Sequence, residues 1–339
     1  MTLTERIHSL GALGVALSDL NDPKINVVLQ NAEIDNPWFT QQNIKQSLSA
    51  IRDQFLNKDT LIKFVDRYKL DDNIEVKKIG LILAGNIPLV GFHDVLCCYL
   101  CGHHALIKYS DKDKILIKWV IDVLIEVDSK SKPYYTEVEK LQNYEAAIAT
   151  GSNSSAIHFK YYFRHVPHLI RKNRNSVAIL SGQETKVQLQ KLGTDIFSYF
   201  GLGCRNVSMI FAPHGYDIRQ LFIAFESHKE IIHHNKYKNN FDYNHALMLL
   251  NKEDFLQNEF LILKKSDQII SRIASVHYQY YTDIPSLAET LQQKKEEIQC
   301  VISGMSIAGV NTVDFGEGQS PAIDDYADGV DTMQFLLSL

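Results

Sequence analysis

The sequence predicts an α/β protein with two lobes, in which strands and helices alternate along the chain. Three observations support this fold class. The chain has 339 residues, which is long for one small domain. Strand-length apolar runs alternate with helical periodicity between residues 79 and 127, and the alternation starts again at residue 176. Because strands connected through helices form parallel sheets, we expect a parallel sheet in each lobe.

The composition is that of an ordinary globular protein. Charged residues make up 22% and hydrophobic residues 45% of the chain, and the formal net charge is -5, which gives no reason to expect a nucleic-acid partner. The start lacks a basic segment followed by an apolar stretch, and no run of about 18 apolar residues occurs. The 5 cysteines are an odd number. We therefore expect a cytoplasmic protein with reduced thiols and without a membrane span.

The N-terminal region predicts helices that cover a core. Apolar residues recur every three or four positions from Ile7 to Leu20, which is typical of an amphipathic helix, and Asn21-Asp22-Pro23 is expected to end it. The same periodicity returns twice between residues 36 and 68. These helices are expected to be structural.

The first alternating region predicts a strand at 79–84, a helix at 89–100, a strand at 105–109, a helix at 115–127 and a strand at 145–150. Ligands of parallel sheets bind at the carboxyl ends of the strands. Asn86 and Lys108 follow such ends and are therefore candidate site residues. The turn Gly151-Ser152-Asn153-Ser154-Ser155 opens a further helix and offers backbone N–H groups to a phosphate. The same turn is also a common helix cap.

The second alternating region predicts strands at 176–180 and 207–212, helices at 184–200 and 217–225, later strands at 260–264 and 275–281, and a helix at 286–297. Cys204 follows Gly201 and Gly203, which allow a positive φ and a close approach to a ligand. A backbone N–H beside its sulfur would bind an oxyanion. Cys204 therefore has the setting of a nucleophile, although a lone cysteine after a helix is more often a small core residue.

Five short motifs in a fixed order, with a closing segment, carry a resemblance to a known family. They are Gly85-Asn86-Ile87-Pro88, Ile107-Lys108-Tyr109-Ser110, Thr150-Gly151-Ser152, Asn175-Ser176-Val177-Ala178, Gly201-Leu202-Gly203-Cys204-Arg205-Asn206 and the closing Tyr326-Ala327-Asp328-Gly329-Val330-Asp331-Thr332. The set resembles the LuxC-type acyl-CoA reductases, a branch of the aldehyde dehydrogenase superfamily, and spans residues 36 to 339.

The resemblance implies an aldehyde dehydrogenase-like fold. Two Rossmann-like α/β lobes, one dinucleotide-binding and one catalytic, are expected with the site in the cleft between them. Residues 1–174 would form the N-terminal helices and the dinucleotide-binding domain, residues 175–310 the catalytic domain, and residues 311–339 a C-terminal return segment.

The resemblance also implies an activity, the reduction of an acyl-CoA or acyl-protein thioester to the aldehyde, with a fatty acyl group expected. Cys204 would hold the acyl group as a thioester, and Asn86 and the Cys204 backbone N–H would donate to the developing oxyanion. The resemblance assigns cofactor binding to Lys108, Ser110, Gly151 and Ser152. NADPH is the expected cofactor and NADH the alternative. Acyl-transfer partner subunits and a homo-oligomer are further expectations of the same kind.

One departure from the broader superfamily favours reduction over hydrolysis. Hydrolytic aldehyde dehydrogenases carry a glutamate base some thirty residues before the cysteine, whereas residues 146–183 contain neither Asp nor Glu. Without such a base, water attacks a thioester slowly. His165 and His168 lie in this interval as alternative bases or proton donors, although such residues are more often surface or cap residues. Glu184 is expected to complement the dipole of the following helix.

Two other functions and several weaker features stay open at this point. An acyltransferase or thioesterase would use Cys204 without nicotinamide, and a silent nucleotide-binding subunit would keep the fold alone. No metal is expected, because the run Cys97-Cys98-Tyr99-Leu100-Cys101 and the pairs His103-His104 and His233-His234 lack partner ligands. Three tyrosines of the 275–281 strand would line an acyl tunnel or simply alternate across the strand. Asp328 and Asp331 are expected to anchor the tail.

Overall fold

The computed structural model describes residues 1–72 and 74–339. The helices of these residues are α1 (Leu3–Ala16), α2 (Pro23–Asp35), α3 (Gln41–Phe55), α4 (Lys58–Val65), α5 (Phe92–Cys101), α6 (Lys114–Val127), α7 (Asn153–Tyr162), α8 (Lys186–Phe197), α9 (Gln220–Ala224), α10 (Asn235–Leu250), α11 (Ile284–Gln293) and α12 (Thr332–Leu337).

The strands of the same residues belong to two sheets. They are β1 (Lys78–Ile82), β2 (His104–Lys108), β3 (Tyr135–Glu137), β4 (Ala146–Thr150), β5 (His168–Arg171), β6 (Asn175–Ile179), β7 (Val207–Pro213), β8 (Leu256–Gln257), β9 (Ile262–Lys265), β10 (Ser275–Tyr281), β11 (Ile298–Ile302) and β12 (Thr312–Val313).

Contacts divide the chain into two compact units. The first unit contains residues 1–173 together with 321–339, and the second contains residues 174–320. Each unit has one sheet and its own hydrophobic core. This arrangement confirms the predicted α/β class with two alternating regions.

The sheet of the first unit has the strand order β3-β2-β1-β4-β5, and its pairings are parallel. Its central strands are the continuous apolar runs of the sequence, as expected for strands that are buried on both faces. Because β1, β2 and β4 are parallel neighbours, the loops that follow them meet at one edge of the sheet. Asn86, Lys108, Ser110 and Gly151 all lie in or next to these three loops.

The N-terminal helices belong to the core of the first unit as predicted, with α1 and α2 packed against α6, but their boundaries differ from the prediction. The side chain of Asp22 caps the next helix, α2, through a 2.7 Å bond from the backbone N–H of Lys24. Pro23 therefore begins a helix instead of ending one, because proline fits the first helical position, where no intrahelical N–H bond is needed.

The sheet of the second unit has the order β12-β11-β6-β7-β10-β9-β8 and is parallel except for the pair of β8 and β9. The strands β6 and β7 are almost fully buried. The loop that contains Cys204 enters β7, so it lies at the amino end of this sheet.

The C-terminal residues 321–339 return to the first unit and are anchored there by polar contacts. The Arg171 guanidinium donates 2.7 Å to the Thr332 hydroxyl, and the Tyr68 hydroxyl donates 2.9 Å to the Asp331 carboxylate. Asp331 also caps α12 by accepting the backbone N–H of Gln334 at 2.8 Å. Asp331 is thus an anchoring residue, as expected.

The predicted helix at 184–200 is wrong at both ends. It begins at Lys186, after the capping residue Thr185, and ends at Phe197, because Tyr199 and Phe200 leave the right-handed helical conformation. Large apolar and aromatic residues continue to Phe200, so the sequence pattern does not reveal where the helix ends.

No helix in the described part of the chain has both the length and the apolar composition that crossing a membrane requires. Among the same residues, no group of three or more His, Cys, Asp or Glu side chains is arranged to hold a metal ion.

Candidate active site

Cys204, the candidate nucleophile, lies in a loop of residues 198–206 that we call the nucleophile loop for this reason. The loop connects α8 to β7, and Cys204 is half-buried in it and forms no disulfide. Tyr199, Phe200 and Gly201 precede the cysteine with φ angles of 52°, 59° and 76°. Such angles suit glycine, whereas each bulky residue in this region costs roughly 1–3 kcal/mol of backbone strain. The turn before Cys204 is therefore strained and needs support from its surroundings.

Aromatic packing supplies part of that support. The Tyr199 and Phe200 side chains are buried. The Phe200 ring lies 4.2 Å, centroid to centroid, from the His234 ring, which caps the start of α10. Burial of two large side chains thus offsets some of the strain of the turn.

The Asn206 side chain supplies the polar support. Its Nδ2 donates to the backbone oxygens of Asp195, Ile196 and Ser198 at 3.1, 3.3 and 2.8 Å. Its Oδ1 accepts the backbone N–H of Gly203 at 2.8 Å. One buried amide therefore joins the carbonyl end of α8 to the residue directly before Cys204.

Ser176 holds the backbone of Cys204 from the neighbouring strand β6. The Ser176 hydroxyl donates 3.1 Å to the Cys204 carbonyl oxygen and accepts 3.2 Å from the Cys300 backbone N–H. The Cys300 sulfur lies 2.9 Å from the same hydroxyl. The Cys204 carbonyl oxygen and the Gly203 N–H are therefore both held by hydrogen bonds, while Cys204 itself is half-buried.

The candidate residues of the first unit lie together at the carboxyl edge of its sheet. Asn86 and Lys108 are exposed and Ser110 is half-buried. The loops after β1 and β2 are packed directly against each other, since a Cβ at Gly85 would lie 2.5 Å from the Ser110 Oγ. Glycine is thus required at position 85 by this close approach.

A buried carboxylate supports the loop that carries Asn86. Leu89 has a φ of 59°, and its N–H donates 2.6 Å to the Oδ2 atom of Asp113. Burial raises the pKa of Asp113 well above its ordinary value, although the Leu89 bond lowers it. The Asp113 side chain therefore fixes a second strained turn, in this case three residues after Asn86.

Gly151 and Ser152 lie where β4 meets α7. A Cβ at Gly151 would lie 2.9 Å from the Phe159 ring and 3.0 Å from the Ser155 Cβ. The Ser152 hydroxyl accepts the Ser155 N–H at 3.1 Å and caps α7. The ordinary cap is therefore present. The exposed hydroxyls and the helix start remain compatible with a phosphate.

Of the candidate bases, the two histidines are exposed, and His168 and Glu184 have structural partners. His165 is exposed in a turn, and His168 is exposed at the start of β5, with its Nδ1 2.9 Å from the Val166 oxygen. Glu184 accepts bonds from the Ser181 N–H at 2.6 Å, the Ser181 hydroxyl at 2.7 Å and the Gly182 N–H at 3.1 Å. Glu184 precedes Thr185, the cap of α8, and its bonds stabilise the turn after β6. The expectation that Glu184 opens the helix is therefore wrong.

The three cysteines of α5 are expected to be unreactive. Cys97, Cys98 and Cys101 lie in α5 and are fully buried, and burial raises the pKa of each thiol well above its ordinary value. A thiol that stays protonated is a poor nucleophile. The reactive candidates are therefore the two half-buried cysteines, Cys204 and Cys300.

The remaining sequence candidates take structural positions. His103 is buried and contacts the Leu336 carbonyl oxygen at 3.1 Å, which holds α12. Tyr278 and Tyr280 pack edge to face with centroids 5.6 Å apart on one side of β10. The Tyr281 hydroxyl donates 2.8 Å to the Leu180 oxygen. The three tyrosines thus alternate across a strand, as the simpler expectation had it.

The sequence predicts no role for Asp113 or Asp195, nor for Asn206, although Asn206 closes the motif that contains Cys204. The Asp195 carboxylate accepts the backbone N–H groups of Gly316 at 2.6 Å and Gly318 at 3.0 Å. A short motif does not reveal such contacts, because each joins a side chain to backbone atoms of residues that only the folded chain brings close together. The one available signal is the position of Asp195, three residues after Leu192 and directly before Ile196, on the apolar face of the predicted helix.

Comparison with protein-family models and with curated proteins gives no match to this sequence. Solved structures do match. Aldehyde dehydrogenase 21 from Physcomitrella patens, in complex with succinate, aligns with a TM-score of 0.69 at 10% identity over 100% of this chain and 84% of that chain.

Two further neighbours contain a nicotinamide cofactor. An aldehyde dehydrogenase from Mycobacterium tuberculosis complexed with NAD+ aligns with a TM-score of 0.66 at 12% identity, covering 92% of this chain and 77% of that chain. An NADP-dependent glyceraldehyde-3-phosphate dehydrogenase from Bacillus halodurans complexed with NADP gives a TM-score of 0.62 at 10% identity, covering 92% and 78%. The protein therefore has the fold of the aldehyde dehydrogenases.

Proposed function

We propose that the protein reduces an acyl-CoA or acyl-protein thioester to the aldehyde with NADPH, through a covalent thioester on Cys204. The observation that carries the proposal is the placement of Cys204: it is a half-buried thiol held after a strained turn, in a chain with the aldehyde dehydrogenase fold. Strain stored next to a nucleophile is typical of a preorganised site.

The proposed acylation begins with attack of the Cys204 thiolate on the thioester carbonyl carbon. The bond to the carrier sulfur breaks, and the carrier leaves as a thiolate. The acyl group is then held on the Cys204 sulfur. The Cys204 backbone N–H and the Asn86 side-chain amide would each donate a hydrogen bond to the oxygen that gains charge. Loss of the Asn86 amide is expected to slow acylation on the order of a hundred-fold.

A nicotinamide cofactor would supply the hydride that converts the thioester into a hemithioacetal oxyanion. The residues at the carboxyl edge of the first sheet fit such a dinucleotide. Lys108 is exposed at the end of β2, Ser110 follows in the same loop, and the exposed Ser152 follows β4, which is separated from β2 by β1. Lys108 and Ser110 would hold the adenosine ribose or its phosphate, and Gly151 and Ser152 would lie under the pyrophosphate. Collapse of the oxyanion breaks the carbon–sulfur bond and regenerates the Cys204 thiolate.

The absence of a carboxylate between residues 146 and 183 supports reduction over hydrolysis. A hydrolytic enzyme needs a base to activate water against the thioester. The nearest carboxylate that follows, Glu184, is occupied by three hydrogen bonds from its own turn.

The proposal is tested by following NADPH consumption with a fatty acyl-CoA and analysing the product. Cys204→Ala is expected to abolish turnover, whereas Cys300→Ala, which removes the other half-buried thiol, is expected to keep it. Acyl exchange without NADPH consumption would instead identify an acyltransferase or thioesterase. Nucleotide binding without either reaction would identify a silent subunit.

A further inference from the structure

We propose that Asn206 is the positioning residue of the nucleophile loop, whose amide holds the left-handed turn so that the Cys204 thiolate can reach an acyl carbonyl. This inference rests on the proposed function, because it explains how the chain fixes the nucleophile assigned there. It adds a residue to which the proposed function gives no role.

The hydrogen bonds of Asn206 span the loop from end to end. The side chain is fully buried, with 0% relative exposure, and contacts three carbonyl oxygens and one N–H. The carbonyls belong to the last turn of α8 and to Ser198, where the helix gives way to the turn. The N–H belongs to Gly203. A single planar group thus fixes the distance between the start of the loop and the residue before the nucleophile.

Two backbone hydrogen bonds close short turns within the loop. The Leu202 N–H donates 3.1 Å to the Tyr199 oxygen, and the Asn206 N–H donates 3.1 Å to the Gly203 oxygen. Each of these closes a short turn, but neither ties the turn to α8. Without the Asn206 amide, the carbonyls of Asp195, Ile196 and Ser198 would lose a donor and the Gly203 N–H an acceptor. These groups flank Tyr199 and Phe200, so the strained turn would lose polar support on both sides.

A second buried asparagine in the same unit provides a matched control. Asn244 on α10 is 3% exposed, and its Nδ2 donates 2.9 Å to the Ile273 oxygen. Asn244 makes none of the bonds to the nucleophile loop described above. Its replacement removes a buried amide of the same kind and therefore reports the general cost of such a loss.

The experiment compares the full-length wild type with Asn206→Ala, Asn206→Asp and Asn244→Ala. Two rates are measured at Cys204 by peptide mass spectrometry: alkylation by iodoacetamide, and acylation by a fatty acyl-CoA without NADPH. Thermal melting records stability. Since a displacement of about 1 Å at a reacting group can cost a hundred-fold in rate, we expect Asn206→Ala to slow acylation on that order. Asn244→Ala is expected to lower the melting temperature and to leave both rates near those of the wild type.

The aspartate variant adds a pH readout. A carboxyl group among three carbonyls is expected to have a raised pKa, and only its protonated form can donate to a carbonyl while accepting the Gly203 N–H. The Cys204 alkylation rate of Asn206→Asp, divided by that of the wild type at the same pH, should therefore be highest at low pH and fall as the pH rises. A loss of stability alone does not produce this ratio.

Two outcomes would overturn the inference. One is a folded Asn206→Ala protein whose Cys204 reacts at the rate of Asn244→Ala. The other, which applies even if the alanine variant does not fold, is an aspartate variant whose rate ratio is independent of pH. If the wild type itself is never acylated, the proposed function fails, and the alkylation rates still decide the role of Asn206.

Discussion

The Asp195 carboxylate accepts a 2.6 Å hydrogen bond from the backbone N–H of Gly316, which lies 121 residues further along the chain. A second bond, of 3.0 Å, comes from the Gly318 N–H. Asp195 belongs to the last turn of α8, and its own carbonyl oxygen accepts from Asn206. One helical turn therefore organises two loops, the nucleophile loop and the loop of residues 314–320.

Asp195 predicts a pH dependence of stability. Burial raises its pKa to about 6, although its two backbone hydrogen bonds lower it. Between the ordinary aspartate pKa and this raised pKa, Asp195 is protonated more in the folded than in the unfolded state. The free energy of unfolding should therefore rise by about 1 kcal/mol as the pH falls from about 7 towards 5. Urea unfolding at both pH values should show this gain for the wild type and not for Asp195→Asn.

The control for this prediction is Asp217→Asn, which changes an exposed aspartate of the same unit. Its pH dependence should match that of the wild type. An Asp195→Asn protein that keeps the full gain at low pH would show that another group is responsible.

The close approach of the β1 and β2 loops predicts a pairwise effect. Gly85→Ala would place a Cβ 2.5 Å from the Ser110 Oγ and 2.7 Å from the Ser110 Cβ. We expect a loss of about 1–3 kcal/mol in the free energy of unfolding, which Ser110→Gly in the same chain should partly restore. Gly11→Ala in α1, where the nearest atom would be 3.8 Å away, should not destabilise. Equal effects of Gly85→Ala with and without Ser110 would contradict this packing.

The buried ion pair of the first unit predicts that removing one partner destabilises the protein more than removing both charges. The Arg171 guanidinium donates 2.6 Å to the Asp94 carboxylate, and both side chains are almost fully buried. Arg171→Met leaves a buried charge without its partner and should cost about 3–5 kcal/mol of unfolding free energy. Adding Asp94→Asn should recover part of that loss. Lys238→Ala, which breaks an exposed pair with Asp242, should change stability by about 1 kcal/mol or less.

The choice between NADPH and NADH is predicted to depend on Lys108. A charged hydrogen bond to the 2′-phosphate would be lost in Lys108→Ala, so the KM for NADPH should rise about ten-fold while the KM for NADH changes little. Asp111→Asn should lower the KM for NADPH, because a carboxylate opposes a phosphate. Equal increases for both nucleotides in Lys108→Ala would place this lysine at a part of the cofactor that the two share.

Much of the fold could be predicted from the sequence because its central strands are continuous apolar runs. The central residues of β1, β2, β4, β6 and β7 are buried on both faces, so their apolar composition alone indicates strands. The short strand β5 and the helix α10 were missed for the opposite reason. His168 at the start of β5 is exposed, and α10 carries mostly polar residues with few buried positions. Tertiary contacts, which a sequence pattern does not show, decide such segments.

The support of the candidate site could not be predicted in the same way. The sequence places glycines around Cys204, and Gly201 indeed has a positive φ, but so do Tyr199 and Phe200, for which no propensity predicts it. The contacts next to these residues are the hydrogen bonds of the buried Asn206 amide and the packing of Phe200 against His234, and both join residues that no local pattern connects. The candidate nucleophile could therefore be recognised as a residue type in a motif, while the strained backbone beside it could not.

The central claim of the proposed function is a covalent acyl group on Cys204. Mass spectrometry of the intact protein after incubation with a fatty acyl-CoA, first without and then with NADPH, tests it most directly. We predict a mass increase of one acyl group, located on the Cys204 peptide, that disappears when NADPH is added and is replaced by free aldehyde. An unmodified Cys204 peptide under conditions in which NADPH is consumed, or an acyl group on Cys204 that NADPH does not remove, would contradict it.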